Sequence, residues 1–167
     1  RSSDLVAPLP GNMNNTYNKD HVVFPEKING KWWMLHRPWG PKVPIINDMV
    51  IRLAFSDNLL GPWEDAGEVI RAFPEEGKAE TWVGAGPCPL PLGNNRYLLL
   101  YHTGCYFPDR YRQYDACAAL LDFNRYTPEN PQSIVVKRLE PIMTPATEWE
   151  INKELRIDII FPLGNYI

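Results

Sequence analysis

Two stretches of the chain share one pattern: a turn rich in glycine and asparagine, then an aromatic strand that ends in a basic or titratable residue. The first stretch has its turn at 29–30 and its strand at 31–37. The second has its turn at 93–95 and its strand at 96–102. Asparagine and glycine tolerate the positive φ angles that tight hairpin turns require. The pattern therefore predicts two β-hairpins that are copies of one structural unit.

The rest of the chain also favours short strands over helices. It contains 17 prolines, 6 tryptophans and 8 tyrosines, and no stretch has a sustained helical period. Short aromatic strands punctuated by proline are typical of all-β proteins whose loops carry function. Further strands are predicted at 22–24, 49–55, 68–73, 116–121 and 133–138.

A third copy of the unit is expected to begin near residue 157, because 158–162 resembles 21–25. We therefore predict that 1–167 forms a partial β-propeller, with blade repeats starting near 21 and 86 and a third near 157.

In a propeller, equivalent positions of successive blades face one central channel. Arg37 and His102 occupy equivalent positions at the ends of the two aromatic strands. Two basic groups that converge in a channel can bind an anion or sugar hydroxyls. The repeat thus predicts an anion- or sugar-binding site that contains both residues.

Composition excludes several other classes of function. The formal net charge is −3, which argues against nucleic acid or an anionic membrane as the main partner. No apolar run approaches the roughly 20 residues that cross a bilayer, and residues 1–10 lack the apolar core of a signal peptide. A disulfide scaffold or a metal site is not expected, and a cytoplasmic location is favoured, because the chain has only three scattered cysteines: Cys88, Cys105 and Cys117.

Six short motifs follow one another along the chain: Val-Val-Phe-Pro-Glu-Lys-Ile-Asn-Gly-Lys at 22–31, His-Arg-Pro at 36–38, Gly-Ala-Gly-Pro at 84–87, Leu-Leu-Tyr-His at 99–102, Ala-Ala-Leu-Leu-Asp at 118–122 and Glu-Pro-Ile-Met-Thr-Pro at 140–145. Together they resemble glycoside hydrolase family 130, the β-mannoside phosphorylases and hydrolases. The resemblance implies a five-bladed β-propeller whose active site lies in the central channel. It implies inverting phosphorolysis of a manno-oligosaccharide or other β-mannoside, in which inorganic phosphate is the co-substrate and no other cofactor is used. An aspartic acid is the expected proton donor, acting through a sugar hydroxyl.

The chain departs from this pattern in its catalytic acid. It has no segment like the Glu-Asp-Pro-Arg sequence that carries the family's acid. We therefore expect this chain to cover only about half of the blades and to be inactive alone, with a homo-oligomer or a complementing chain segment supplying the rest. The alternative is a non-catalytic propeller fragment that binds sugar.

Basic residues that resemble the family's phosphate ligands are Lys19, Arg37 and His102. The lysine expected just before the Gly-Ala-Gly-Pro motif is absent, and Glu80 lies in that segment instead. A carboxylate there would repel a phosphate dianion, whereas it could activate a water molecule as a base. Glu80 therefore favours the hydrolytic branch of the family.

Three further residues are candidates for binding the substrate. Asp20 is one of the carboxylates nearest the predicted site, although a structural role in turn hydrogen bonds or a salt bridge is an equal alternative. Trp39, in a proline-rich loop, is a candidate platform for a sugar ring, and Tyr114 belongs to an aromatic segment that could line a subsite.

Overall fold

The computed structural model describes residues 18–38, 49–73, 76–160 and 162. These residues form strands and two short 3₁₀ helices, Phe123–Arg125 and Pro131–Ile134. No helix in these ranges is long enough and apolar enough to cross a bilayer. The strands are β1 (Asn18–Val23), β2 (Trp32–Pro38), β3 (Ile51–Ser56), β4 (Glu64–Ile70), β5 (Glu80–Ala85), β6 (Leu90–Gly93), β7 (Arg96–Tyr106), β8 (Arg112–Asp122), β9 (Val135–Met143), β10 (Ile151–Asn152) and β11 (Ile157–Ile159).

The first sheet is a four-stranded antiparallel meander in the order β1-β2-β3-β4. The predicted turn between β1 and β2 is confirmed, because Asn29 has φ 52° and Gly30 has φ 81°. Backbone hydrogen bonds between Ile28 and Lys31 close this turn. The paired part of β1 ends at Val23, and one further backbone hydrogen bond, from the amide of Phe24 to the carbonyl oxygen of Trp33, precedes the turn.

The second sheet is built around two long antiparallel strands, β7 and β8. On the edge of β7 that does not face β8, β6 pairs with the beginning of the strand and β5 pairs with its second half. On the edge of β8 that does not face β7, β11 pairs with the beginning of the strand and β9 pairs with its second half. The predicted second hairpin is confirmed: Asn94 and Asn95, at φ 52° and 57°, form the turn between β6 and β7. The strand predicted at 133–138 begins later, because Pro131 opens a 3₁₀ turn first.

Strand β11 lies where the third repeat is expected to begin. It pairs in parallel with the start of β8, and with β10 it forms a small hairpin at the edge of the second sheet. Neither sheet closes on itself within the described residues. The architecture is mostly β, as predicted, and the number of blades stays a prediction.

The main hydrophobic core lies between the two sheets. Trp33 and Leu35 project from β2, and Leu99 and Tyr101 project from β7, and all four are 5% exposed or less. Aromatic rings from both sheets pack edge to face at the base of this core. Side chains alternate between the two faces of a strand. Arg37 therefore lies on the same face of β2 as Trp33 and Leu35, toward the second sheet.

Candidate anion site at the junction of the two sheets

Arg37 is the penultimate residue of β2 and lies where the strand meets the edge of the second sheet. Its side chain is only 5% exposed, and Nη2 lies 2.9 Å from Asp20 Oδ2. Nη1 donates a hydrogen bond of 3.1 Å to the carbonyl oxygen of Val83 in β5. Nε makes no hydrogen bond within the described residues. A buried guanidinium with unused donor capacity is well suited to bind an anion.

Asp20 is aimed at Arg37 by an irregularity in β1. The register of β1 against β2 shifts between Lys19 and Val22, and Asp20 has φ 56°. Aspartate is one of the few residues other than glycine that adopts this left-handed conformation readily. Burial raises the pKa of Asp20, and the positive charge of Arg37 opposes that shift. The bulge therefore places a carboxylate where it fixes the guanidinium.

Gly84 allows Asp20 and His102 to meet. It pairs with His102 across β5 and β7. A Cβ atom at Gly84 would lie 2.6 Å from His102 Nε2 and closer still to Asp20 Oδ2. Real Cβ atoms essentially never approach other atoms this closely. The missing side chain therefore makes the space in which the imidazole and the carboxylate come together.

His102 is neutral at physiological pH, which differs from the expectation of two converging cations. Burial, together with the smaller effect of the charges of Arg37 and Lys19, lowers the pKa of His102 to about 3. The side chain is 1% exposed and cannot easily hold a charge away from water. Arg37 thus carries the positive charge, and His102 contributes an uncharged hydrogen-bonding ring.

This buried imidazole predicts a specific pH dependence of stability. The pKa of His102 is about 3 in the folded chain and near 6.5 in the unfolded chain, so the unfolded chain takes up a proton first as the pH falls. The free energy of unfolding should therefore be greatest above pH 6.5 and fall toward pH 3, by up to about 1.4 kcal/mol per pH unit from this group. Urea unfolding of the wild type and of His102→Gln between these limits measures the difference. An equal slope in both proteins would contradict the prediction.

Lys19 and Tyr114 lie around the same junction. Burial lowers the pKa of Lys19, and the neighbouring Arg37 lowers it further. The ring of Tyr114 lies 5.9 Å from the ring of His102 and 5.5 Å from that of Trp82. Lys19, Asp20, Arg37, His102 and Tyr114, all selected from the sequence, are therefore brought together, and their roles stay predictions.

The structure does not show the side chains of two of the predicted site residues, Trp39 and Glu80. Trp39 lies outside the described residues. The backbone of Glu80 begins β5 and pairs with Tyr106, four residues before Gly84 on the same strand, and its side chain is outside the description. The proposed base function of Glu80 therefore stays a prediction.

Gly84 and Trp82 are the residues that sequence reasoning missed as parts of the site. A glycine inside a strand pattern signals close approach of another group, and this signal was available at Gly84. Trp82 lies in the segment where the expected lysine is absent, and its ring packs over Gly104 and lies 5.3 Å from the ring of Tyr106. The register of β5 and β7 decides both contacts, and a local sequence pattern does not specify that register.

No group of three or more His, Cys, Asp or Glu side chains in the described ranges is arranged to hold a metal ion. The junction brings together one buried guanidinium, one carboxylate, one neutral imidazole and a nearby lysine. These groups can bind an oxyanion through charge-assisted hydrogen bonds.

Comparisons with known proteins identify the family of the chain. The model of glycoside hydrolase family 130, described as beta-1,4-mannooligosaccharide phosphorylase, matches residues 6–167. A 1,2-beta-oligomannan phosphorylase from Thermoanaerobacter sp. (strain X514) is 34% identical over 90% of this chain and 43% of its own length. A beta-1,2-mannobiose phosphorylase from Listeria innocua is 36% identical over 92% of this chain and 39% of its own length.

The solved structure of a beta-1,2-mannobiose phosphorylase from Listeria innocua, in complex with beta-1,2-mannobiose, is similar with a TM-score of 0.58 and 34% identity. The match covers 81% of this chain and 34% of that one. The chain thus spans roughly two fifths of the length of these curated relatives. Since the family model matches nearly the whole chain, the chain belongs to glycoside hydrolase family 130.

Proposed function

We propose that this chain forms the phosphate-binding side of a β-mannoside phosphorylase. The observation that carries the proposal is the buried guanidinium of Arg37, which is ion-paired with Asp20 and is hydrogen-bonded to the edge of the second sheet. Burying a positive charge costs free energy unless the charge is paired and hydrogen-bonded. An incoming phosphate would provide further hydrogen-bond acceptors for this group.

The neighbouring residues suit the same ligand. Lys19 adds a second positive charge, and a ring N–H of neutral His102 can donate a hydrogen bond to a phosphate oxygen. Asp20 holds Arg37 in place without neutralising the whole site. Its carboxylate also sets a limit on how much negative charge the site accepts, which favours one phosphate over a more highly charged anion.

The proposed reaction is inverting phosphorolysis in the central channel of a five-bladed β-propeller. A phosphate oxygen attacks the anomeric carbon, the glycosidic C–O bond breaks, and the departing oxygen takes a proton from an aspartic acid through a sugar hydroxyl. The products are a mannose 1-phosphate of inverted configuration and a shortened saccharide. Phosphate is the co-substrate, and the reaction uses no other cofactor.

Phosphorolysis is favoured over the hydrolysis that Glu80 suggested. The matched curated relatives are named as phosphorylases. Arg37, Asp20 and His102 also form a site suited to an anion, whereas water activation requires a second carboxylate at a set distance from the acid. The substrate class we propose is a β-linked manno-oligosaccharide. We further propose that the acid belongs to other blades, in the same or a complementing chain, and that the protein is cytoplasmic.

In the decisive experiment, the protein together with the blades that supply the acid is incubated with β-1,2-mannobiose, with and without inorganic phosphate, and the products are identified. Mannose 1-phosphate that forms only with phosphate supports the proposal, and free mannose in both reactions indicates hydrolysis. For the 167-residue chain alone, calorimetric titration with phosphate is the matching measurement. Binding of mannobiose without phosphate binding and without turnover would instead favour a non-catalytic sugar-binding protein.

A further inference from the structure

A cavity of about 310 Å³ lies on the face of the second sheet that is opposite His102. The strand register explains its position: Thr81 pairs with Cys105, and Thr103 pairs with Asp115, so these side chains share one face. His102 precedes Thr103 in β7, and successive side chains of a strand point to opposite faces, so His102 points away from the cavity. This cavity is therefore separate from the Arg37 site.

Asp115 gives the cavity a buried hydrogen-bond acceptor. The residue is 5% exposed, and Gln113 Nε2 donates a hydrogen bond of 2.8 Å to its Oδ1 atom. A carboxylate can accept about four hydrogen bonds, so one donor leaves most of its capacity for a ligand. Thr81 and Thr103 add side-chain hydroxyl groups to the same wall.

The charges around the cavity balance. Lys78 and Asp115 bring one charge of each sign. Glu140 also lines the cavity, but it accepts hydrogen bonds from Arg138 and from the hydroxyl of Tyr101, so its charge is compensated. An anion would meet the carboxylate of Asp115, and a cation would meet the ammonium of Lys78, so the lining favours an uncharged ligand.

Size and surface define the ligand further. Pockets for small ligands begin at about 300 Å³, so the cavity suits a single compact molecule. The ring of Phe73 lies at its border, is 61% exposed, and has the guanidinium of Arg138 4.4 Å from its centroid. The hydroxyl groups of Thr81 and Thr103, the carboxylate of Asp115 and the ring of Phe73 suit a neutral molecule with many hydroxyl groups and one apolar face.

We propose that this cavity is a second binding site, which takes one hexosyl unit. Asp115 accepts hydrogen bonds from sugar hydroxyls, Thr81 and Thr103 contribute further polar contacts, and Phe73 packs against the ring. The proposal is independent of the proposed phosphorolysis, because it uses none of the residues around Arg37.

Titration of the ¹⁵N-labelled chain with D-mannose tests the site directly. Saturable shifts of the amide signals of Thr81, Thr103 and Gln113 are expected. Shifts confined to Gly84 and Arg37 would overturn the second site and leave the proposed function intact. The absence of any shift at millimolar mannose would also overturn it. Conversely, saturable shifts at the cavity with no phosphorolysis would support this site alone.

Asp115→Asn should weaken mannose binding about 10-fold, as expected for loss of one hydrogen bond to a charged group. Asp57→Asn is the matched control, since it makes the same chemical change at an exposed position in the turn that follows β3. Its affinity should equal that of the wild type. If Asp115→Asn does not fold, Thr103→Val removes a cavity hydroxyl at nearly constant volume and should weaken binding as well. An unchanged affinity for mannose in a folded Asp115→Asn or, failing that, Thr103→Val variant would overturn the proposal.

Discussion

Replacing Arg37 by glutamine is expected to weaken phosphate binding about 10- to 100-fold, because hydrogen bonds to a charged partner contribute about 1.5–3 kcal/mol. Arg37 is the buried positive charge of the site and lies 2.9 Å from Asp20 Oδ2. Glutamine keeps a polar side chain but removes the charge and the forked donor geometry. Calorimetric titration of the folded chain with inorganic phosphate measures the change.

Arg52→Gln is the control for Arg37→Gln. Arg52 lies on β3 of the same sheet and forms an ion pair with Asp65 at 2.8 Å, with a side chain that is 30% exposed. Its loss should leave the affinity for phosphate unchanged. Thermal unfolding of both variants shows whether each is folded. Equal phosphate affinities in the wild type and a folded Arg37→Gln variant would rule out Arg37 as a phosphate ligand.

Gly84→Ala should disrupt the same site by steric overlap. The new methyl group would lie 2.6 Å from His102 Nε2 and closer to Asp20 Oδ2, so at least one of these groups must move. Forcing an extra methyl group into a packed site costs about 1–3 kcal/mol of stability. Because Asp20 positions Arg37, we also expect phosphate affinity to fall by about 10-fold or more, which corresponds to 1.4 kcal/mol.

Gly77→Ala separates this steric effect from the general cost of replacing a glycine. Gly77 has φ 80°, and a Cβ atom there would meet nothing within 4 Å. Its replacement should cost about 1–2 kcal/mol through backbone strain alone and leave phosphate binding unchanged. Chemical denaturation and phosphate titration of both variants give the two quantities. A Gly84→Ala chain that binds phosphate as the wild type does would show that Asp20 and His102 do not need this close approach.

Some of the fold follows from local sequence. The turns at Asn29 and Asn94 are readable because positive φ angles restrict which residues can occupy them. The repeat predicted that Arg37 and His102 end equivalent strands. The structure brings both to the junction around Gly84, but His102 lies within its strand, because pairing with β5 and β8 extends β7 to Tyr106.

What the sequence by itself determined was the all-β character, the two hairpins, the family and the residues that gather at the junction. These features depend on turn chemistry, on alternation along a strand and on short motifs, all of which are local in the chain. The tertiary structure alone decided that His102 is uncharged, that Gly84 opens the space for Asp20, and that Asp115 lines a separate cavity. The physical reason is that burial and strand register are set by contacts between distant segments, and these contacts fix the pKa of a side chain and the neighbours that it meets.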